Sequence, residues 1–161
     1  MFYFAYGTTL DPDEMSRLCP GSVAVGLAAL HDHRLAFPRY SSRWEGGVAG
    51  LAHAHGEIVW GALYAVTESD LAALDEAEGW RGPDDQHNLS DREPITVELT
   101  RPDDGSVPRR VRAWMHATRT SNPSRPSRRY LEVLLKGARR HRLPEEYVGR
   151  LSEVEAGGSD A

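Results

Sequence analysis

The chain opens on an unbroken apolar run, Met1 to Tyr6, that stops at Gly7. A short aromatic-rich run ended by glycine predicts a buried strand that enters a tight turn, here Gly7, Thr8 and Thr9. Asp11 followed by Pro12 predicts the cap and first position of a short helix over 12–18, closed by Pro20 and Gly21. Loose alternation from 22 to 38, with Val23, Val25, Leu27, Leu30, Leu35 and Phe37, predicts one or two strands, and Arg39 to Gly47 reads as a polar loop. Gly47 to Ala54 and Ile58 to Val66 read as two strands joined across His55 and Gly56 in a hairpin-like pair. Thr67 is the expected cap of a helix that runs to about Glu78 and is stopped by Gly79. Residues 80–93 have no period and many turn formers, which predicts a long loop and a candidate lid. Strands follow near Ile95 to Leu99 and Val111 to His116, separated by a turn region from Pro102 to Pro108. Past a Ser/Pro/Arg loop at Ser121 to Ser127, Pro126 opens a helix carrying Tyr130, Leu131, Val133, Leu134 and Leu135 that fades before Pro144, and Glu145 to Val154 adds a last short one. The tail from 156 to 161, AGGSDA, is expected to be disordered.

Six or so strands with few intervening helices predict an α+β fold, a small mixed sheet curled into a barrel or half-barrel with helices at its ends and sides. A length of 161 residues with 40% hydrophobic content suits one domain, expected over 1–155.

Charge narrows the partners. The formal net charge of -5 comes from 24 acidic and 19 basic residues dispersed along the chain, so no basic stripe points to nucleic acid or an anionic membrane. A small-molecule partner is expected. Cys19 stands alone, the opening MFYFAYG lacks the features of a signal peptide, and no apolar segment approaches the roughly 20 residues that span a bilayer. These features together predict a cytoplasmic protein. The pairs His31/His33 and His53/His55 have a spacing that puts both rings on one face of a strand, but no acidic or thiol ligand accompanies them. Alternating histidines on a solvent-facing side are the simpler account, and neither metal nor cofactor is expected. Arg39, Arg43, Trp44 and Glu45 could contact an acidic substrate group from their loop, though an exposed polar loop explains them equally well, and the Arg125 to Arg129 cluster could pair with a substrate carboxylate or simply solvate a helix start, so neither is singled out as a site.

One carboxylate sits against the pattern. With Leu71 at zero on a helical wheel, Leu74 falls at about 300°, Glu78 at about 340°, Asp75 at about 40° and Glu76 at about 140°. Glu78 therefore lies on the apolar stripe, where its charged form must find a partner or be disfavoured, and Asp75 is the second candidate. A solvated residue at a fraying helix end is the bland alternative for Glu78.

Three stretches in order, YFAYGTTL from Tyr3 to Leu10, VWGALYAVTESDLAALDEAEG from Val59 to Gly79, and YLEVLLKGARRHRLPEEY from Tyr130 to Tyr147, resemble the γ-glutamyl cyclotransferase family. That family opens with YFAYGSNL, continues with a VWG strand and a helix ending LDxxEG, and finishes with a tyrosine-bearing helix and a Leu-Pro-x-x-Tyr segment. The resemblance spans about residues 2 to 152 and implies the same fold, a homodimer, and Glu78 as the catalytic acid/base. It also implies that the turn of Tyr6, Gly7, Thr8, Thr9 and Leu10 presents backbone N–H groups to a γ-glutamyl amide and that Tyr130 is a substrate-side residue. Two features depart from the family pattern. Thr8 and Thr9 replace Ser and Asn, and the usual tyrosine after LDxxEG is absent, with Arg92, Glu93 and Pro94 at the start of the next strand.

The implied reaction needs no water or enzyme nucleophile. The α-amine of a γ-glutamyl amide attacks its own γ-carbonyl and closes 5-oxoproline, and one carboxylate takes the proton from the amine and returns it to the leaving amine. Release of a small amino acid or peptide, removal of a γ-glutamyl protecting group from a larger biosynthetic amine, and a catalytically idle binding module all remain open at this point. The retained Glu78 argues against the last.

Overall fold

The computed structural model, which describes residues 1–101, 105 and 107–157, buries both faces of the opening run in β1 (Phe2–Ala5). Phe4, and Tyr6 just beyond the strand, join one core cluster with Leu30, Val59, Leu63, Val97 and Met115. Tyr3 and Ala5 join a second cluster with Leu10, Met15, Tyr64, Leu71 and Leu74. A period of two buried on both sides produces the unbroken apolar reading.

β2 (Val23–Ser41), β3 (Gly46–Ala65), β4 (Ser90–Thr100) and β5 (Arg109–Thr118) complete a closed barrel in the order β1-β3-β2-β4-β5. Closure is parallel, at Tyr3 against Trp114, and the other pairs are antiparallel, so the sheet is mixed as expected. Four helices, α1 (Pro12–Leu18), α2 (Glu68–Glu78), α3 (Arg128–Arg140) and α4 (Glu145–Ser152), lie among the described residues, with a single 3-10 turn at Thr8–Leu10. None of them is long and apolar enough to cross a membrane.

The helix limits follow local chemistry. Asp11 accepts from the Asp13 N–H at 3.1 Å to start α1. Thr67 Oγ1 accepts from Asp70 N–H at 3.1 Å while Asp70 accepts from Thr67 N–H at 3.0 Å, a reciprocal cap for α2. Gly79 ends α2 at φ 71, a left-handed conformation that favours glycine. Ser127, one residue past the expected Pro126, caps α3 through Tyr130 N–H at 3.2 Å.

Four expectations are corrected. The hairpin-like pair across His55 and Gly56 does not form, because both halves of β3 pair with the single long β2. Gly56, at φ 80, faces Asp32, at φ 60, and donates its N–H to the Asp32 carboxylate at 2.9 Å, so the two strands bend together there and run on. The polar loop of 39–47 shrinks to the turn 42–45, which leaves Arg39 on β2. The segment 80–93 yields Ser90 to Glu93 to β4, and the rest is no free lid. Asn88 is buried, accepting from Arg81 N–H at 2.7 Å and donating to the Gly82 carbonyl at 2.8 Å, while Leu89 N–H donates to the Gly79 carbonyl at 2.9 Å. In the expected tail, Ala156 packs on the core and Gly157 N–H donates to the Pro126 carbonyl at 2.9 Å, and 158–161 lie outside the described residues. Residues 102–104 and 106 of the Pro102 to Pro108 turn lie outside them too.

Candidate active site

A cavity of about 370 Å³ opens where the C-terminal end of α2 meets the first turn, and Glu78 lines it. Tyr6, Gly7, Thr8, Thr9 and Tyr130 line the same cavity, so six of the seven residues singled out by sequence come together. Leu10 does not. It is almost fully buried in the cluster beneath the helices, and its N–H is taken by the Gly7 carbonyl at 3.0 Å. The N–H groups of Gly7, Thr8 and Thr9 have no acceptor among the described residues, so the turn offers three donors.

Glu78 is half-buried, and no side chain among the described residues hydrogen bonds to its carboxyl group. Burial pushes that carboxyl above its ordinary value of 4.5, and the positive charge of Arg39 pulls it partly back. Ala49 N–H donates to the Tyr130 hydroxyl oxygen at 2.8 Å, which leaves the phenolic proton free to point into the cavity. Tyr6 spends its proton on the His116 carbonyl at 2.6 Å and acts as wall. Burial raises both phenols well above the ordinary tyrosine range, so both stay neutral and able only to donate or accept. Gly7 runs beside Tyr130: a Cβ there would lie 3.6 Å from the hydroxyl and 3.8 Å from the Ala49 Cβ, ordinary contacts for the fold.

Behind Glu78 lies a network that sequence reasoning only half identified. Asp75, one helical turn earlier, accepts from Arg92 Nη1 at 2.9 Å and from His116 Nε2 at 2.9 Å. His116 Nδ1 meets the Tyr3 hydroxyl at 2.8 Å. A carboxylate only accepts, so Nε2 carries the ring proton and Nδ1 accepts from Tyr3. Burial lowers the His116 pKa, with Asp75 opposing, and keeps the ring neutral. Arg92 is also sandwiched between Trp80 and Trp114, its guanidinium carbon 4.2 and 4.9 Å from the two ring centroids. Arg92 therefore occupies structure near the position of the absent tyrosine and does not face the cavity.

A family model described as the AIG2-like family matches residues 58–151, more than half of the chain. The chain belongs to the AIG2-like family. Gamma-glutamylcyclotransferase of Mus musculus is 29% identical to it over 157 residues, 95% of this chain and 78% of that protein. The Homo sapiens protein of the same name is 27% identical over 157 residues, with the same coverage. A solved structure named Gamma-glutamyl cyclotransferase superposes with a TM-score of 0.84 at 24% identity, covering 100% of this chain and 91% of that one. The barrel with its flanking helices is thus the γ-glutamyl cyclotransferase fold.

Within this AIG2-like chain the cavity wall also contains residues that sequence reasoning set aside or passed over. Arg39 lines it, although the polar pattern reads as loop, and so does His116, which carried no motif. The one signal for His116 was its alternation with Ala113 and Met115 in an otherwise apolar strand segment. The histidine pairs stay outside the site: His31 and His55 are exposed, and the His33 and His53 rings pack tilted against each other with centroids 4.6 Å apart.

Proposed function

We propose that this chain is a γ-glutamyl cyclotransferase that releases 5-oxoproline and a free amine from a small γ-glutamyl amide. The observation that carries the reading is Glu78, a carboxyl with a raised pKa and no hydrogen-bonding partner among the described residues, lining one cavity with the Gly7 to Thr9 turn, whose three N–H groups have no acceptor among those residues either. In the proposed reaction Glu78 takes a proton from the substrate ammonium. The freed amine attacks the γ-carbonyl carbon, and the oxyanion is met by the turn N–H groups and the Tyr130 hydroxyl. As the tetrahedral intermediate collapses, the C–N bond to the leaving group breaks, Glu78 returns its proton to the departing amine, and the regenerated carboxylate takes the second proton from the ring nitrogen and passes it to the released amine, which leaves as an ammonium. A raised carboxyl pKa suits both halves of this exchange near neutral pH. The relatives named Gamma-glutamylcyclotransferase support the same reading.

A panel of γ-glutamyl amides, with leaving groups from single amino acids to larger amines, tests the proposal by mass detection of 5-oxoproline. Wild type is expected to release it. Glu78→Gln is expected to lose activity by roughly 10²–10⁴-fold, the usual weight of a positioned acid/base, with its circular dichroism unchanged. A folded Glu78→Gln variant with most of its turnover intact would remove Glu78 from the mechanism.

A further inference from the structure

Arg39 is placed with unusual firmness for an arginine at a hairpin end. Its backbone pairs with Val48 on β3 and bridges to Ser121 on the other side, and the next residue, Tyr40, donates its N–H to the Ser121 carbonyl at 3.2 Å. Residues paired across an antiparallel ladder project to the same face. Arg39 therefore points with Val48 into the cavity that both residues line. Its Nε is buried and has no hydrogen-bond partner among the described residues. A buried donor on a charged group left unpaired costs free energy, so it calls for a ligand or another explanation.

Two other arginines line the cavity, and neither is comparable. Arg17 is exposed and paired with Glu14 at 2.9 Å. Arg43 is exposed and lies over Trp44 at 5.3 Å from the ring centroid. Of the three, only Arg39 has a buried guanidinium nitrogen, Nε, without a partner among the described residues, and a guanidinium is a planar fork suited to two oxygens of one carboxylate.

Opposite charges thus share one cavity, the Glu78 carboxyl and the Arg39 guanidinium, each close enough for the positive charge to be felt at Glu78. A γ-glutamyl head group carries the complementary pair on a single carbon, an ammonium and a carboxylate. If the ammonium faces Glu78, the carboxylate lies within one bond angle of it, and Arg39 is the cavity-lining cation whose charge reaches Glu78. We propose that Arg39 binds the α-carboxylate of the γ-glutamyl unit and makes a free α-carboxylate a requirement for productive binding. The proposal rests on the γ-glutamyl reading of the site and assigns to Arg39 the choice between substrates that bear this carboxylate and those in which it is amidated. Arg39 is a specificity residue; proton transfer stays with Glu78.

The test compares wild type, Arg39→Met and Arg39→Lys on γ-glutamylalanine and on the same molecule with the glutamyl α-carboxylate converted to a carboxamide. Calorimetric binding of 5-oxoproline and of its carboxamide is measured alongside, since the product keeps the same carboxylate. Wild type is expected to prefer the acid, and Arg39→Met to lose about 100-fold in kcat/KM on the acid, mostly through KM, as when one partner of a buried charge pair is removed. The carboxamide is expected to change little, and Arg39→Lys to recover part of the loss. Equal losses on acid and amide would overturn the proposal, because they are what a purely electrostatic effect of Arg39 on Glu78 produces. If no γ-glutamyl amide is turned over but 5-oxoproline binding still requires both its carboxylate and Arg39, the cyclotransferase reading fails and the Arg39 site stands. Turnover with acid and amide treated alike by wild type leaves the cyclotransferase reading intact and removes Arg39 from it. Loss of both signals sinks both.

Discussion

Glu78 couples chemistry to stability with a definite sign. Its folded carboxyl has a pKa above the ordinary 4.5, so between that value and the raised one the folded state holds more protons than the unfolded state. Stability from this group is complete below the ordinary carboxyl value and is lost as pH rises through the folded one. Glu78→Gln removes the titration altogether. Its melting temperature is therefore expected to match wild type at acid pH and to exceed it at neutral pH, by about 2–4 °C for each kcal/mol relieved. Thermal melts of both proteins across pH measure the difference, and a gap that stays constant with pH would place the titration elsewhere. The helical wheel makes Glu78 visible because the face of a helix is fixed by spacing within one turn. Arg39 is not separable by the same reasoning from its neighbours in a polar loop. Its position depends on β2 continuing past Pro38, and that continuation is set by pairing with Val48 and Ser121, which are remote in sequence.

At the scale of elements, α3 packs on the segment that follows the cavity-lining turn. A Cβ at Gly137 would sit 2.6 Å from the Leu10 carbonyl carbon and 2.7 Å from the Asp11 nitrogen, both backbone atoms that cannot swing aside. Gly137→Ala would gain about 1 kcal/mol in helix propensity but incur an overpacking cost of about 1–3 kcal/mol. The clash is expected to win, with net destabilisation in urea and a raised KM, because the strained segment continues into the Gly7 to Thr9 donors. A variant as stable as wild type with unchanged KM would show that the turn is not braced by α3. This contact also explains Leu10: in a strand-turn motif it reads as one more donor, yet the helix packed on it holds its side chain in the core and its N–H closes the turn. Local signals of this kind, the Thr67 and Gly79 caps or the Asp11 cap, are readable because partners lie within a few residues. The bend at Gly56 misreads as a hairpin because its partner, Asp32, lies 24 positions away. The His116 links to Tyr3 and Asp75 span 113 and 41 positions, beyond any window of hydrophobic pattern.

Across the whole molecule, the residues that close the barrel also hold the helix that carries Glu78. Tyr3 and Trp114 form the parallel seam between β1 and β5, and the same two residues reach Asp75 by different routes, Tyr3 through His116 and Trp114 through the stacked Arg92. Asp75 lies one turn before Glu78 on α2, so the seam and Glu78 share one anchor. Arg92 and Asp75 have side chains 22% and 14% exposed, which places their pair between a surface bridge of little worth and a fully buried one whose breaking costs 3 kcal/mol or more. His116 remains bonded to Asp75 when Arg92 is removed, so the charge is not stranded. Arg92→Met is accordingly expected to cost about 2–3 kcal/mol, and Arg92→Lys to recover little, since an ammonium cannot lie flat between Trp80 and Trp114. Coupling to the site gives the measurement its second axis. If α2 is held through Asp75, Arg92→Met is expected to lower kcat at substrate saturation while KM moves less, and a double-mutant cycle with Asp75→Asn is expected to return a coupling energy of about 1–2 kcal/mol. Additive effects in that cycle, with kcat untouched, would mean that the seam and Glu78 are held independently.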